Sequence, residues 1–169
     1  MQNNLVTLNG VNIHPFTSAQ KLLDYLDQTK ALLVANNAEI ILHASDQMRA
    51  IINRNNGYFD RAGPMLALRR HGYDDVIKIP GCELWLKIIE ATYKQKTFYL
   101  VGGKQEVIEE TVSKLNNDYP GIRIINFRNG YIKTEQERQS MIEDVAEKKP
   151  DVVYDPMGST KQQFLKEQK

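Results

Sequence analysis

The chain has 169 residues, 41% of them hydrophobic and 25% charged, a composition that suits one soluble domain with a sizeable core. Its net charge of +1, with both signs interspersed, removes the electrostatic case for nucleic acid as a partner. A single cysteine, Cys82, excludes an internal disulfide and argues against a cysteine-based metal site.

There is no apolar run of membrane-spanning length, and Met1-Gln2-Asn3-Asn4 does not open a signal peptide. The expectation is therefore a cytoplasmic protein that reaches a membrane only by docking on it. Leu5 to Leu8 and Val11 to Ile13 flank Asn9-Gly10, a strong hairpin signal. Thr17 and Gln20 have capping-box spacing, ahead of a helix whose buried stripe is Leu22, Leu23 and Leu26 and which ends near Thr29. Ala31 to Ala35 reads as a core strand that stops at Asn36-Asn37. From Ala38 a helix follows with Ile40, Ile41, Ala44, Met48, Ile51 and Ile52 at helical spacing, closed by the polar run Asn53 to Gly57.

Tyr58-Phe59 reads as a very short strand with Asp60 just beyond it, and Gly63-Pro64 opens a helix that Gly72 ends. Val76 to Ile79 is another apolar stretch, and a helix from Cys82 to about Lys94 buries Leu84, Trp85, Ile88, Ile89 and Tyr93. Thr97 to Val101 is a buried strand that feeds a helix through Gly102-Gly103-Lys104, with Ile108, Thr111, Val112 and Leu115 along one face. Two glycines let the backbone approach a ligand, the first amides of a helix lack intrahelical acceptors, and Lys104 adds a charge, so an anion fits there as well as a bare βα turn does. Arg123 to Phe127 is a further strand, and Asn129-Gly130 a turn. Thr134 and Glu137 cap a helix with Met141, Ile142 and Val145 inside. Asp151 to Tyr154 is the last strand, and it leads through Met157-Gly158-Ser159 into a final helix.

Strands alternating with helices imply one α/β domain over residues 1–169: a Rossmann-like, mainly parallel sheet covered by helices on both faces, with a small N-terminal β-hairpin. In such sheets ligands bind beyond the carboxyl ends of the strands. The residues expected there are Asn37, Asp60, Gly102-Gly103-Lys104, Asn129-Gly130-Tyr131 and Met157-Gly158-Ser159, which suit a phosphorylated or hydroxyl-rich ligand and are also ordinary turn formers. The spacing matches neither the dinucleotide fingerprint nor the Walker loop, so a nicotinamide-dependent oxidoreductase and a P-loop ATPase are both poorly supported. His14, His43 and His71 lie on unrelated segments without a metal-ligand pattern, and no cofactor is called for.

Several of these tips, taken in order, resemble the bacterial glycosyltransferases named for WecG, TagA and CpsF (glycosyltransferase family 26). They are Asn37-Ala38-Glu39, Asp60, Gly81-Cys82-Glu83-Leu84, Gly102-Gly103-Lys104, Gly130-Tyr131 and Gly158-Ser159-Thr160-Lys161-Gln162. The resemblance implies inverting, metal-independent transfer of a sugar from a UDP-sugar to a lipid-linked saccharide in cell-envelope polysaccharide synthesis. The sugar would be N-acetylmannosamine, its uronic acid or glucose, and the work would be done at the inner face of the cytoplasmic membrane as a peripheral protein. It implies Asp60 as the general base, with Asn37, Gly81, Gly102, Gly103, Lys104, Tyr131, Gly158, Lys161 and Gln162 binding substrate; Arg61, beside Asp60, is a further candidate for substrate binding from its position alone.

The chain departs from the family pattern at Ala35, at Arg61 in place of a glycine, and at Gln163. Arg61 is positioned either to clamp a donor phosphate or to block the acceptor. Family members are expected to continue past the final helix with a basic, apolar membrane-docking segment that is absent here, so slow turnover on lipid-linked acceptors is expected. The alternative is a catalytically weak or inactive nucleotide-sugar-binding homologue. A homo-oligomer is compatible with these residues and not specified by them.

Overall fold

The computed structural model describes residues 5–29, 33–70 and 72–155. Its contacts divide the chain into two compact units, residues 1–84 and 85–169. The α/β architecture is the expected one, with parallel strands, flanking helices and an N-terminal hairpin, and the strands are distributed over two sheets.

In the first unit the hairpin β1 (Val6–Leu8) and β2 (Val11–Ile13) turns on Asn9 and Gly10, both at positive φ as a tight primed turn requires. After α1 (Ala19–Gln28) come β3 (Leu33–Asn36), α2 (Ala38–His43), α3 (Asp46–Arg54), β4 (Asn56–Phe59) and α4 (Met65–Arg70). The sheet order is β1-β2-β4-β3, with β4 central and parallel to both neighbours. Val11, Ile13, Val34, Ile52, Phe59 and Leu68 form its core.

Three local expectations are corrected. Ser18, not Thr17, caps α1: its Oγ accepts from Lys21 N at 3.1 Å, while Gln20 turns to Asp24. The helix expected to run on from Ala38 is two helices, because Ser45 caps the second by accepting from Met48 N at 3.2 Å. Asn56 and Gly57, read as the polar end of that helix, are the start of β4.

His14 follows β2 and is only 7% exposed, stacked on Phe16. Its Nε2 lies 3.1 Å from Asn56 Oδ1, which also accepts from Tyr25, so Nε2 carries the proton and Nδ1 is buried without a partner. Burial pushes the imidazole below its ordinary value, against the opposing hydrogen bond to Asn56. The unfolded chain therefore binds the proton first as pH falls, and stability that is full above about 6.5 declines below it. Urea unfolding at pH 7.5 and 5.5 is expected to show a larger loss in wild type than in His14→Gln; equal losses would contradict this.

In the second unit, reached through α5 (Gly81–Thr92), β5 (Thr97–Val101) lies between β6 (Arg123–Arg128) and β7 (Val152–Tyr154), all parallel. Alternation along β5 sends Phe98 and Leu100 toward Ile89, Ile108 and Leu115, and sends Tyr99 and Val101 toward Met141. The helices α6 (Gln105–Asp118) and α7 (Glu135–Lys148) thus cover opposite faces of this sheet. Trp85 stacks on Tyr154 at 4.6 Å and Tyr93 packs on Tyr119, core roles for both. The Thr134–Glu137 capping box forms as the sequence indicates.

Candidate functional site

In the first unit the functional candidates gather at the carboxyl ends of β3 and β4. Asn36 and Phe59 are paired in register, and Asp60 N donates to Asn36 O at 3.1 Å, so Asn37 and Asp60 leave the sheet side by side. Asn37 caps α2, its Oδ1 accepting from Ile40 N at 2.9 Å. Asp60 Oδ1 accepts from the Gly81 amide at 2.8 Å, which fastens the carboxylate to the first residue of α5. The side chain of Asp60 retains 24% exposure, and Oδ2 lies 3.7 Å from Nε of a largely exposed Arg61.

Gly81, expected to bind substrate, also has a structural part. A Cβ there would stand 3.3 Å from the Tyr58 hydroxyl, a tight approach, and in ordinary contact with Asp60 Oδ1 at 3.7 Å, so its bareness leaves room for Tyr58 beside the carboxylate that its amide holds. In the structure Gly81 orients Asp60.

The second unit gathers Gly102, Gly103, Lys104 and Tyr131 at the ends of β5 and β6. Gly102 (φ 148°) donates its N–H to Arg128 O, and Gly103 (φ 66°) accepts from Gly130 N, so the two strand-end loops are stitched together. Lys104 is the N-cap residue of α6 and supplies no side-chain cap. An open cleft of about 350 Å³ is lined by Lys104, Gln105, Glu106, Asn129, Tyr131, Lys133 and Glu137. Asn129 braces it from both sides: Nδ2 donates to Gln105 Oε1 at 3.0 Å, and Oδ1 accepts from Tyr131 N at 3.0 Å. The Tyr131 ring is exposed.

Sequence reading passed over the neighbouring cleft of about 310 Å³, lined by Tyr99, Asn126, Arg128, Asn129, Ser140, Met141 and Asp144. The cause is a bulge in β6. Phe98 pairs with Ile124 but Tyr99 pairs with Asn126, leaving Ile125 as the extra residue and turning Asn126 and Arg128 to the α7 side. Asp144 Oδ2 there accepts from Tyr99 at 2.7 Å and from Asn126 at 2.6 Å, while Lys148 lies 3.0 Å from Oδ1. The Tyr99 bond leads in holding the Asp144 carboxyl below its ordinary range; burial, then Asp144, pushes the Tyr99 phenol well above its own. The adjacent pair Ile124-Ile125, which breaks strict alternation, is the trace this bulge leaves in the sequence.

Gly158, Lys161, Gln162 and the final helix lie outside the described residues. Among the described residues no three His, Cys, Asp or Glu side chains are gathered to hold a metal ion, and no helix is long and apolar enough to cross a membrane.

The ordered strand-end tips, Asn37 with Asp60 and Gly102-Gly103-Lys104 with Tyr131, are the features on which the sequence resemblance rested. Over residues 6–169 the chain matches the family described as Glycosyl transferase WecG/TagA/CpsF family, and it belongs to that family.

Proposed function

We propose that this glycosyltransferase takes its sugar from a UDP-sugar and delivers it to a lipid-linked saccharide in cell-envelope polysaccharide synthesis, as a single catalytic domain working at a membrane surface without a divalent metal. Asp60 is the general base. An acceptor hydroxyl attacks the anomeric carbon on the face opposite the departing UDP, its oxygen forming the new glycosidic bond as the bond to the diphosphate oxygen breaks. The hydroxyl proton passes to Asp60 Oδ2, the electron pair leaves with UDP, and the configuration inverts.

The observation that carries this reading is the state of the Asp60 carboxylate. One oxygen is fixed by the Gly81 amide, while the other is left within reach of solvent and of an incoming hydroxyl. In the first unit Asn37 and Arg61 are the substrate-binding residues beside Asp60. In the second unit Gly102, Gly103, Lys104 and Tyr131 bind the nucleotide, Lys104 and the α6 amides, which no Lys104 side-chain bond caps, suiting its diphosphate. Gly158, Lys161 and Gln162 complete the donor site on the strength of the family pattern alone.

Calorimetric titration with UDP tests the nucleotide and the metal questions together. UDP is expected to bind equally with and without a chelator, and to protect against thermal unfolding by roughly 2.7 kcal/mol at 100 times its dissociation constant. Affinity that collapses on chelation would sink the metal-free reading. No release of UDP from any UDP-sugar with a lipid-linked acceptor mimic would sink the transfer reading.

A further inference from the structure

We infer that Arg128 is an anion-binding residue that holds the diphosphate of the departing nucleotide, an inference resting on the UDP-sugar reading above. The argument starts from the bulge at Ile125, which places Arg128 beside Val101 on the α7 face instead of the α6 face. It is the last residue of β6, at the strand ends where ligands of parallel sheets collect, and its carbonyl already accepts from Gly102 N.

Its guanidinium lines the 310 Å³ cleft, yet Nε is buried with no hydrogen-bond partner. Among the described residues its side chain makes one hydrogen bond, a long one from Nη1 to the Glu137 carbonyl at 3.3 Å. A buried, unpaired guanidinium donor is costly unless something completes it.

Two carboxylates belong to Arg128's surroundings, Glu137, on which its charge acts, and Asp144, which lines the same cleft, and both are engaged by other donors. Glu137 Oε2 accepts from Lys133 N at 2.7 Å and Thr134 N at 3.3 Å in the capping box. Asp144 is occupied by Tyr99, Asn126 and Lys148. Among the described residues neither forms an ion pair with Arg128. Glu137 feels the Arg128 charge without pairing with it, and the guanidinium Nε is left for an external acceptor.

Asn129 lines both clefts, so a ligand lying along Lys104 and Tyr131 in one has Arg128 in the other next to it. A planar guanidinium binds two phosphate oxygens at once, and charge that grows on the leaving diphosphate as the glycosidic bond breaks strengthens that contact in the transition state.

Inorganic pyrophosphate and UDP, each titrated into the full chain, test this. Arg128→Gln is expected to weaken both by about tenfold or more while binding of uridine is unchanged. Wild-type affinity for both in Arg128→Gln would overturn the assignment and leave the UDP reading standing. Pyrophosphate binding lost in Arg128→Gln, in a protein whose wild type ignores UDP, would uphold an anion site and remove the nucleotide. Wild-type protein that binds neither would remove both. A measurement on wild type avoids any folding defect of the variant: the Arg128 Nε–Hε resonance is expected to shift on adding pyrophosphate, and an unmoved resonance would overturn the assignment.

Discussion

Asp60→Asn is expected to fold and melt like wild type, to bind UDP with little change, and to lose sugar transfer by about 10²-fold or more. The structural half of this follows from Oδ1. It accepts from the Gly81 amide at 2.8 Å, and the carboxamide oxygen of Asn can accept the same bond in the same place. The backbone bond from Asp60 N to Asn36 O does not involve the side chain at all. What Asn cannot do is take a proton near neutral pH, so the chemical step loses the base proposed for it while the loop keeps its shape. If Asp60 serves only to fasten the start of α5, Asn serves nearly as well, since the two residues are close in capping strength, and transfer survives. Melting temperature, UDP affinity and transfer rate measured on one variant separate the two roles; a well-folded Asp60→Asn protein transferring at wild-type rate removes Asp60 from the mechanism. The neighbouring Arg61 does not confuse the test, because a 3.7 Å pair with a largely exposed arginine contributes little to stability.

How legible the molecule was depended on the range of the forces involved. The hairpin, the βα turn at Gly102-Gly103 and the box at Thr134 are local, set by turn dihedrals and caps within a few residues, and each stands where the sequence put it. The break at Ser45 is also local but ambiguous, since Ile40, Ile41, Met48, Ile51 and Ile52 keep helical spacing across it. A side chain that accepts from its own third amide decided in favour of two helices. The bulge in β6 is a tertiary effect: Asn126 turns to Asp144 eighteen positions later in the chain, and no periodicity of β6 alone reports that. For that reason the sequence did not single out Arg128 as lining a cleft, although its neighbours Asn129 and Tyr131 stood among the residues expected at the strand ends. The contact of Gly81 with Asp60 was not legible either, since it crosses 21 positions and the sequence offered only a helix start.

The start of β4 was the other misreading, and it leads to the second large effect. Asn56 and Gly57 look like the polar tail of a helix, but Gly57 pairs with Ile13 on one side and Val34 on the other, in the centre of the sheet. Glycine there weakens a strand, so its presence needs a reason, and close approach supplies it. A Cβ on Gly57 would stand 2.8 Å from Asn12 O, 2.9 Å from Asn36 Nδ2 and 3.2 Å from Ile52 Cγ2. The first of these is backbone and cannot swing aside without disturbing β2. The second belongs to a fully buried residue whose own carbonyl holds Asp60 N. Gly57→Ala is accordingly expected to destabilise by about 2–3 kcal/mol, at the upper end of overpacking costs. For a chain of this size that lowers Tm by roughly 5–10 °C. Gly72→Asn is the comparison: among the described residues no atom lies within 4 Å of a Cβ there, so only the strain of its φ of +82° is added, which Asn bears better than other L residues, and Tm should fall less than in Gly57→Ala. Because the strain in Gly57→Ala runs through Asn36 toward Asp60, transfer at a temperature where the variant is folded should also fall, more than in Gly72→Asn. A Gly57→Ala protein melting within 1–2 °C of wild type, by the same scaling, would mean that β2 and β4 yield more easily than their pairing implies.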